Sequence, residues 1–279
     1  MFSTITMNEL TRKEFLKKAV GVGGAALSSM TIYQCVTTAT GKKAFIVVSE
    51  SEEQKLGAEA YQEIMKKERK SSNGHRTSIL KRVGRNVAKV SHRPDYKWEF
   101  NLLDSKTVNA YCLPGGKIAF FDGIMPYCKD EAGIAVVMGH EIGHATARHG
   151  AQRISQGMVA QVGLGVAGLS LKNSKYRNII LAGLGAGAMV GVMLPYSREH
   201  EYEADRLGMT YLSKAGYDPE IAVQFWERFQ KLTAGKEGSD FLSTHPLTSK
   251  RLAKMKEFMP EAKRLYNAAP VKYGAGETV

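Results

Sequence analysis

Residues 132–144 read AGIAVVMGHEIGH, an apolar stretch without proline that ends in two histidines four residues apart. Such a stretch is typical of a buried helix. Asp130 is a candidate N-cap residue, and Glu131 is an acid suited to the first turn. Arg148 and His149 follow at the C-terminal end, where cations suit the helix dipole. We therefore predict a buried helix that carries the chemistry of this chain.

The candidate chemical residues of this helix are His140, Glu141 and His144. Positions i and i+4 lie on one helix face, so both imidazoles can reach a single Zn²⁺ at about 2.0–2.1 Å. Glu141 lies about 100° further round the helix, where it can contact a metal-bound water but cannot join the imidazoles as a ligand. The motif is short, and a helix could carry the same two histidines without binding a metal. The prediction of a zinc site therefore needs further evidence from the rest of the chain.

A third ligand is required, because catalytic zinc normally has three protein ligands and one open position. A metzincin has a histidine six residues after the position of His144, but that residue is Gly150, which excludes the class. In a predicted helix, Glu201 and Asp205 lie on one face. We predict Glu201 as the ligand, with His200 as its rival, and Asp205 as the hydrogen-bond partner of a ligand imidazole. The structural alternative is a solvated acidic helix face.

The elements around the motif are predicted as helices and short strands. Ser51–Gln54 has the pattern of a capping box and opens a helix that extends to about Lys67. A C-terminal helix is predicted from about Thr248 to Phe258, ending at Pro260. An alternating pattern predicts three short strands before the motif helix, at residues 98–102, 108–112 and 118–121.

The first 35 residues have the features of an export signal. Residues 11–17, TRKEFLK, resemble a twin-arginine motif with lysine as the second basic residue, and a weakly apolar, glycine-rich stretch follows. Cys35 lies where a lipoprotein signal has its acylated cysteine, although Gln34 before it is not a small residue. We predict export to the periplasm and membrane attachment through a lipidated Cys35. The alternative is an uncleaved N-terminal membrane anchor.

Charge, cysteines and hydropathy narrow the function classes further. The formal net charge of +12 favours acidic partners such as anionic lipid surfaces, but no DNA-binding motif accompanies it, so we predict no nucleic-acid partner. Cys112 and Cys128 are either a disulfide or two buried thiols, and they lack the spacing of a cysteine zinc site.

Residues 156–194 are poor in charge. We predict a buried hairpin there rather than a membrane insertion, because the apolar run 179–194 is too short to span a bilayer.

Three separated motifs resemble the gluzincin metallopeptidase family of HtpX, BepA, LoiP, the CaaX-processing proteases and the mitochondrial Oma-type enzymes. The similarity runs from about Ser49 to Phe258. The motifs are His140–His144, Glu201–Asp205 and His245-Pro246 with Arg251, and residues 109–116, NAYCLPGG, also belong to it.

The resemblance implies a zincin-like metallopeptidase domain at 36–265, with an α+β fold that is mostly helical and contains a small sheet. The signal at 1–35 precedes this domain, and residues 266–279 are predicted as a flexible tail. It implies one Zn²⁺ per chain and endopeptidase activity, and it favours the exported lipoprotein members that degrade misfolded envelope proteins.

The implied mechanism assigns roles to residues outside the ligand set. Zinc would activate a water molecule and polarise the scissile carbonyl. Glu141 would accept the proton of the water as general base and deliver it to the leaving amine. We predict His245 as the donor to the oxyanion, with Arg251 as a weaker candidate. Alternatively, His245 occupies the open zinc position and holds the enzyme latent.

Asn109 and the strand residues Ile118, Ala119 and Phe120 are predicted to bind substrate, the strand by edge addition to an extended chain. This mode has little side-chain selectivity, so unfolded or misassembled proteins are the predicted substrates. A zinc-binding chaperone with little proteolysis is one alternative, against which the presence of Glu141 argues. An integral membrane protease that uses residues 156–194 is another. The sequence leaves the oligomeric state open.

Overall fold

In this computed structural model, the structure describes residues 34–163, 196–233 and 240–279. The chain divides into two units, residues 1–34 and 35–279. Apart from the backbone of Gln34 and Cys35, the predicted export signal lies outside the described residues. Most of the charge-poor tract at 156–194 lies outside them as well, so the predicted hairpin stays a prediction.

The motif helix, α4, spans Glu131–Thr146, and all of its residues are buried. Its predicted N-cap holds, since the Asp130 side chain accepts a hydrogen bond of 2.8 Å from the Gly133 amide. Two further N-terminal amides, those of Glu131 and Ala132, donate to backbone carbonyls of the C-terminal residues 275–277 at 2.9 Å. These bonds satisfy donors that a helix terminus leaves without an intrahelical partner.

Residues 266–279, predicted as a flexible tail, therefore make specific contacts. Helix α9 continues as far as Ala268, and the amide of the last residue, Val279, donates to the Lys129 carbonyl at 2.9 Å. The mobility of this segment in solution stays a prediction.

A three-stranded sheet packs beside α4. Strands β3 (Glu99–Leu103), β4 (Ala110–Leu113) and β5 (Lys117–Phe121) have the spatial order β3-β5-β4. Strand β5 pairs in parallel with β3 and antiparallel with β4, so it is the central strand. A separate hairpin comprises β1 (Gln34–Thr37) and β2 (Lys43–Ile46). The α+β fold class predicted from the sequence is confirmed.

Helices surround these strands. They are α1 (Glu50–Lys67), α2 (Gly74–Lys89), the short α3 (Met125–Cys128), α5 (His149–Gly163), α6 (Arg198–Lys214), α7 (Glu220–Thr233), the short α8 (Asp240–Thr244) and α9 (Ser249–Ala268). None of the helices described here combines the length and the hydropathy that a bilayer crossing needs.

Two predicted helix boundaries are wrong. The capping box of α1 is formed by Ser49 and Glu52, two residues before the predicted pair, because the Ser49 hydroxyl accepts from the Glu52 amide and the Glu52 carboxylate accepts from the Ser49 amide. Helix α9 passes through Pro260 instead of ending there. Pro260 is exposed, so water can hydrate the carbonyl that loses its helical partner. Cys112 and Cys128 are both free and buried, which decides between the two alternatives left by the sequence.

Close packing of α4 against α6 positions the site. A Cβ atom on Gly143 would lie 2.9 Å from the carbonyl oxygen of Ala204, and one on Gly139 would lie 2.9 Å from that of Gly208. Such distances are shorter than van der Waals contact, so only glycine permits this approach. The two helix axes therefore come close enough for side chains from both to share one centre.

Candidate metal centre

Four buried side chains from three segments converge at the interface of α4 and α6. His140 and His144 come from α4, Glu201 from the first turn of α6, and His245 from the residue after α8. Each offers one ligand atom, and these atoms all lie within 4.8 Å of one another. All four residues are at most 2% exposed. The geometry brings together the three predicted ligands and adds a fourth donor.

Four of the six distances between the donors fit a tetrahedral zinc ion. The Nε2 atoms of His140 and His144 lie 3.1 Å apart, and Nε2 of His140 lies 3.2 Å from Nδ1 of His245. The Oε1 atom of Glu201 lies 3.3 Å from His144 Nε2 and 3.1 Å from His245 Nδ1. Donors bound at 2.0–2.1 Å around tetrahedral zinc are about 3.3 Å apart. Three imidazoles and a carboxylate also form a donor set that suits zinc.

His245 therefore lies at the fourth corner of the donor set. Its amide donates to the Phe241 carbonyl at 2.8 Å, which places it one turn after the start of α8. Its ring stacks on Phe241 with a centroid separation of 4.6 Å and on Tyr196 with 5.1 Å. Of the two predicted roles, this position matches the latent one, in which His245 occupies the open coordination site.

Glu141 faces the centre from the side. Its Oε1 atom has no hydrogen-bond partner among the described residues and lies 3.4 Å from Nε2 of His245. Burial raises the pKa of this carboxyl, while the nearby His245 and His140 oppose the shift. A carboxylate with a raised pKa and an unengaged oxygen has the properties of a general base.

Arg251 and Asp205 support the ligands from behind. Two nitrogens of the Arg251 guanidinium contact the Asp205 carboxylate at 2.7 Å, and Nη1 lies 2.6 Å from Oε2 of Glu201. Asp205 lies beside a predicted ligand, since its Oδ1 is 3.0 Å from Nδ1 of His140, although this contact lacks the geometry of a hydrogen bond. Burial raises the pKa of Glu201, but Arg251, His245 and the contacts with the two imidazoles of α4 together outweigh burial and hold this pKa well below its usual range. The contacts of Arg251 favour a supporting role over that of an oxyanion donor.

The predicted substrate strand needs a correction. Ile118, Ala119 and Phe120 lie in the central strand β5 and are fully buried, so edge addition to them is wrong. Their backbone groups already pair with β3 and β4. The sequence pattern could not distinguish a central strand from an edge strand, because both alternate in the same way.

The edge nearest α4 belongs to β4. Asn109 precedes this strand, and its carbonyl accepts from the Phe121 amide, so the alternation of the antiparallel ladder turns the backbone groups of Ala110 and Cys112 away from β5. The Asn109 side chain accepts from the Ala110 amide at 2.9 Å. The backbone amide of Cys112 acts on Glu141 and opposes the rise of its pKa. Asn109 thus lies at the N-terminal end of β4, the strand whose edge passes Glu141.

Sequence analysis missed two aromatic or imidazole neighbours of the centre. Tyr196, the residue before the N-cap Ser197, has its ring centroid 3.9 Å from that of His144. His149 lies behind His144, with the two Nδ1 atoms 2.9 Å apart. His200, the rival ligand, stacks on His149 instead of joining the donor set. The only available signal was the presence of polar aromatic residues next to the motifs.

Comparison with known proteins gives a consistent result. A model of Peptidase family M48 matches residues 74–259. The mitochondrial metalloendopeptidase OMA1 of Schizosaccharomyces pombe is 36% identical over 228 residues, which cover 80% of this chain and 66% of that protein. The beta-barrel assembly-enhancing protease of Escherichia coli K12 is 31% identical over 172 residues, covering 59% of this chain and 35% of that protein. The chain thus spans from about a third to just under two thirds of these relatives.

Proposed function

The chain belongs to peptidase family M48, and on this premise we propose that it is a zinc-dependent endopeptidase. The observation that carries the proposal is the juxtaposition of a buried zinc donor set with Glu141, whose Oε1 has no hydrogen-bond partner among the described residues. A purely structural zinc site has no use for a buried carboxylate with one oxygen left without a hydrogen bond, which costs free energy to keep.

Each residue of the centre has a distinct task in this reaction. His140, His144 and Glu201 hold the zinc ion, which when bound supplies an activated water and a polarised substrate carbonyl. Glu141 accepts the proton of the attacking water and transfers it to the leaving amine. Asp205 keeps the proton of His140 on Nδ1, so that Nε2 faces the metal.

His245 holds the centre in a latent form in this proposal. With its Nδ1 among the donors, no corner of the tetrahedron is open for water or substrate. Withdrawal of the segment after α8 opens that corner. The displaced imidazole is then close enough to serve as the oxyanion donor, which combines the two roles predicted from the sequence.

Extended polypeptide is the substrate that suits this arrangement. Main-chain pairing with a strand edge reads an extended chain with little dependence on its side chains, and β4 is the edge strand whose outward backbone groups run past Glu141. The residues of β4 are buried in this structure, so binding of substrate at this edge requires the site to open. We therefore propose that unfolded or misassembled proteins are cleaved, in a quality-control role. Export, attachment through Cys35 and action in the periplasm remain part of the proposal and are supported by the N-terminal sequence.

Cleavage of unfolded casein by the wild-type protein and by Glu141→Gln, each with its zinc content determined, tests the proposal. Zinc in both proteins and cleavage by the wild type alone, at a low rate set by the withdrawal of His245, is the expected result. A wild type without zinc contradicts it.

The second candidate function is a zinc-binding chaperone, and the four-residue donor set favours it because closed sites are typical of structural zinc. Zinc in both proteins, cleavage by neither, and no gain of cleavage in His245→Ala would support the chaperone over the latent peptidase. Suppression of casein aggregation at equal zinc content would measure the chaperone activity directly.

A further inference from the structure

A second layer of buried polar side chains lies behind His144. The ring of His149 is fully buried, and its Nδ1 lies 2.9 Å from Nδ1 of His144. On its other side, Nε2 of His149 lies 3.5 Å from Oε2 of Glu203. The opposite oxygen of Glu203 accepts hydrogen bonds from the hydroxyls of Thr38, at 2.6 Å, and Thr40. A continuous chain of polar contacts thus joins the donor set to the β1–β2 hairpin.

The backbone is bent to bring His149 into this place. In an uninterrupted helix, a residue five positions after His144 would point about 140° away from it. Arg148 instead adopts a left-handed conformation, with φ of 57°, between the end of α4 and the start of α5. For a residue with a side chain this conformation is sterically strained. It is held by the Arg148 guanidinium, which binds the buried Glu53 at 2.7 Å and the Val48 carbonyl at 3.1 Å.

Only one arrangement of protons satisfies these contacts. His144 directs the lone pair of Nε2 at the donor set, so its proton is on Nδ1 and must be donated to Nδ1 of His149. His149 can accept it only as a neutral ring with its own proton on Nε2. That proton faces the Glu203 carboxylate, at a distance too long for a good hydrogen bond but close enough for the negative charge to favour this tautomer.

We propose that His149 is a positioning residue for the metal ligand His144, and that Glu203, fixed by the hydroxyls of Thr38 and Thr40, holds His149 in the required tautomer. This inference rests on the proposed function, because it takes His144 as a ligand of zinc. The two ligand imidazoles then differ in support: His140 is backed directly by a carboxylate, whereas His144 is backed by a carboxylate through a second imidazole. The β1–β2 hairpin becomes part of the support of the metal centre.

Two amide substitutions at His149 separate this role from a general packing role. In His149→Asn the side-chain oxygen lies near the position of Nδ1 and can still accept from His144. In His149→Gln the amide lies near the position of Nε2 and cannot. Both variants keep a polar side chain in the same buried place. His200→Gln is the matched control, because His200 is buried in the same cluster but contacts Gln152 at 3.1 Å and not a ligand.

The measurement is the dissociation constant for zinc, obtained by competition with a chromogenic chelator, with circular dichroism as the check on folding. We expect His149→Gln to bind zinc about 10–100-fold more weakly than the wild type, as is usual when the outer partner of a ligand is lost. His149→Asn and His200→Gln should remain within about threefold. The visible absorption of the Co²⁺-substituted protein should change in His149→Gln and stay close to the wild type in the other two.

Equal zinc affinity of His149→Gln and the wild type overturns the inference, and so does equal weakening in His149→Asn and His149→Gln. If the His149 variants fail to fold, the double variant Thr38→Val/Thr40→Val decides, since it removes both donors to Glu203 from the hairpin. A loss of about threefold or more supports the inference and unchanged affinity overturns it. Zinc affinity does not depend on turnover, so zinc binding without cleavage of casein by either the wild type or His245→Ala contradicts only the proposed peptidase activity. A wild type that binds no zinc overturns both.

Discussion

Gly143 of α4 lies so close to Ala204 of α6 that an added Cβ atom would be 2.9 Å from the Ala204 carbonyl oxygen. The glycine belongs to the histidine motif, and the residue it touches belongs to the segment that supplies Glu201. One absent methyl group therefore sets the distance between the two halves of the donor set.

Gly143→Ala should push α6 away from α4. Overpacking of a dense core typically costs about 1–3 kcal/mol, and we expect a loss of unfolding free energy in that range together with weaker zinc binding. Urea unfolding and chelator competition measure the two effects. Gly74→Ala is the matched control, because no atom lies within 4 Å of a Cβ built there. Equal stability and zinc affinity of Gly143→Ala and Gly74→Ala would show that the close approach is not required.

Arg251→Met should destabilise the protein strongly. Arg251 is 1% exposed and compensates the buried carboxylates of Glu201 and Asp205. Removal of one partner from a buried ion network commonly costs about 3–5 kcal/mol, because the remaining charges lose their compensation. The urea midpoint of the zinc-loaded protein measures the effect. Arg264→Met, at an exposed pair with Glu261, should leave the midpoint unchanged. A small effect of Arg251→Met would mean that zinc alone compensates the two carboxylates.

Removal of zinc should lower the thermal stability of the wild type. A ligand that binds only the folded state, at 1,000 times its dissociation constant, stabilises that state by about 4 kcal/mol. We therefore expect a clear fall in melting temperature when a chelator is added. His140→Ala lacks one donor and should show almost no response to the chelator. If the wild type and His140→Ala respond alike to the chelator, the zinc ion or the effect of the chelator is located elsewhere in the chain.

His245→Ala should increase the cleavage of casein while zinc stays bound. The substitution opens the fourth corner of the donor set and leaves the other three donors in place. Initial rates, with zinc content measured on the same sample, give the result. A rate below that of the wild type at full zinc content would mean that the loss of the oxyanion donor outweighs the opening of the fourth corner. Loss of zinc together with activity would make His245 a structural ligand.

Part of this site could be predicted from the sequence because it depends only on residues that are close together in the chain. His140 and His144 share a helix face because residues four positions apart always do so in an α-helix. Glu141 then lies about 100° round the helix axis from His140. Asp130 is equally predictable as the N-cap, since its side chain bonds a backbone amide only three residues on. Such relationships depend on helix geometry alone and not on the rest of the fold.

Other features needed the tertiary structure because they depend on how distant segments pack. Glu201 and His200 are adjacent in sequence, and only the close contact of α4 with α6 turns Glu201 toward the donor set and His200 toward His149. Whether β5 is central or at an edge depends on which strands pair with it, which its own alternation does not encode. The sequence by itself determined how His140, Glu141 and His144 lie relative to one another, through the period of a helix, and this relationship predicts the metal, the base and two of the ligands. The positions of the other two donors, the strand at the edge of the sheet and the contacts behind each predicted ligand were decided by the packing of segments far apart in the chain.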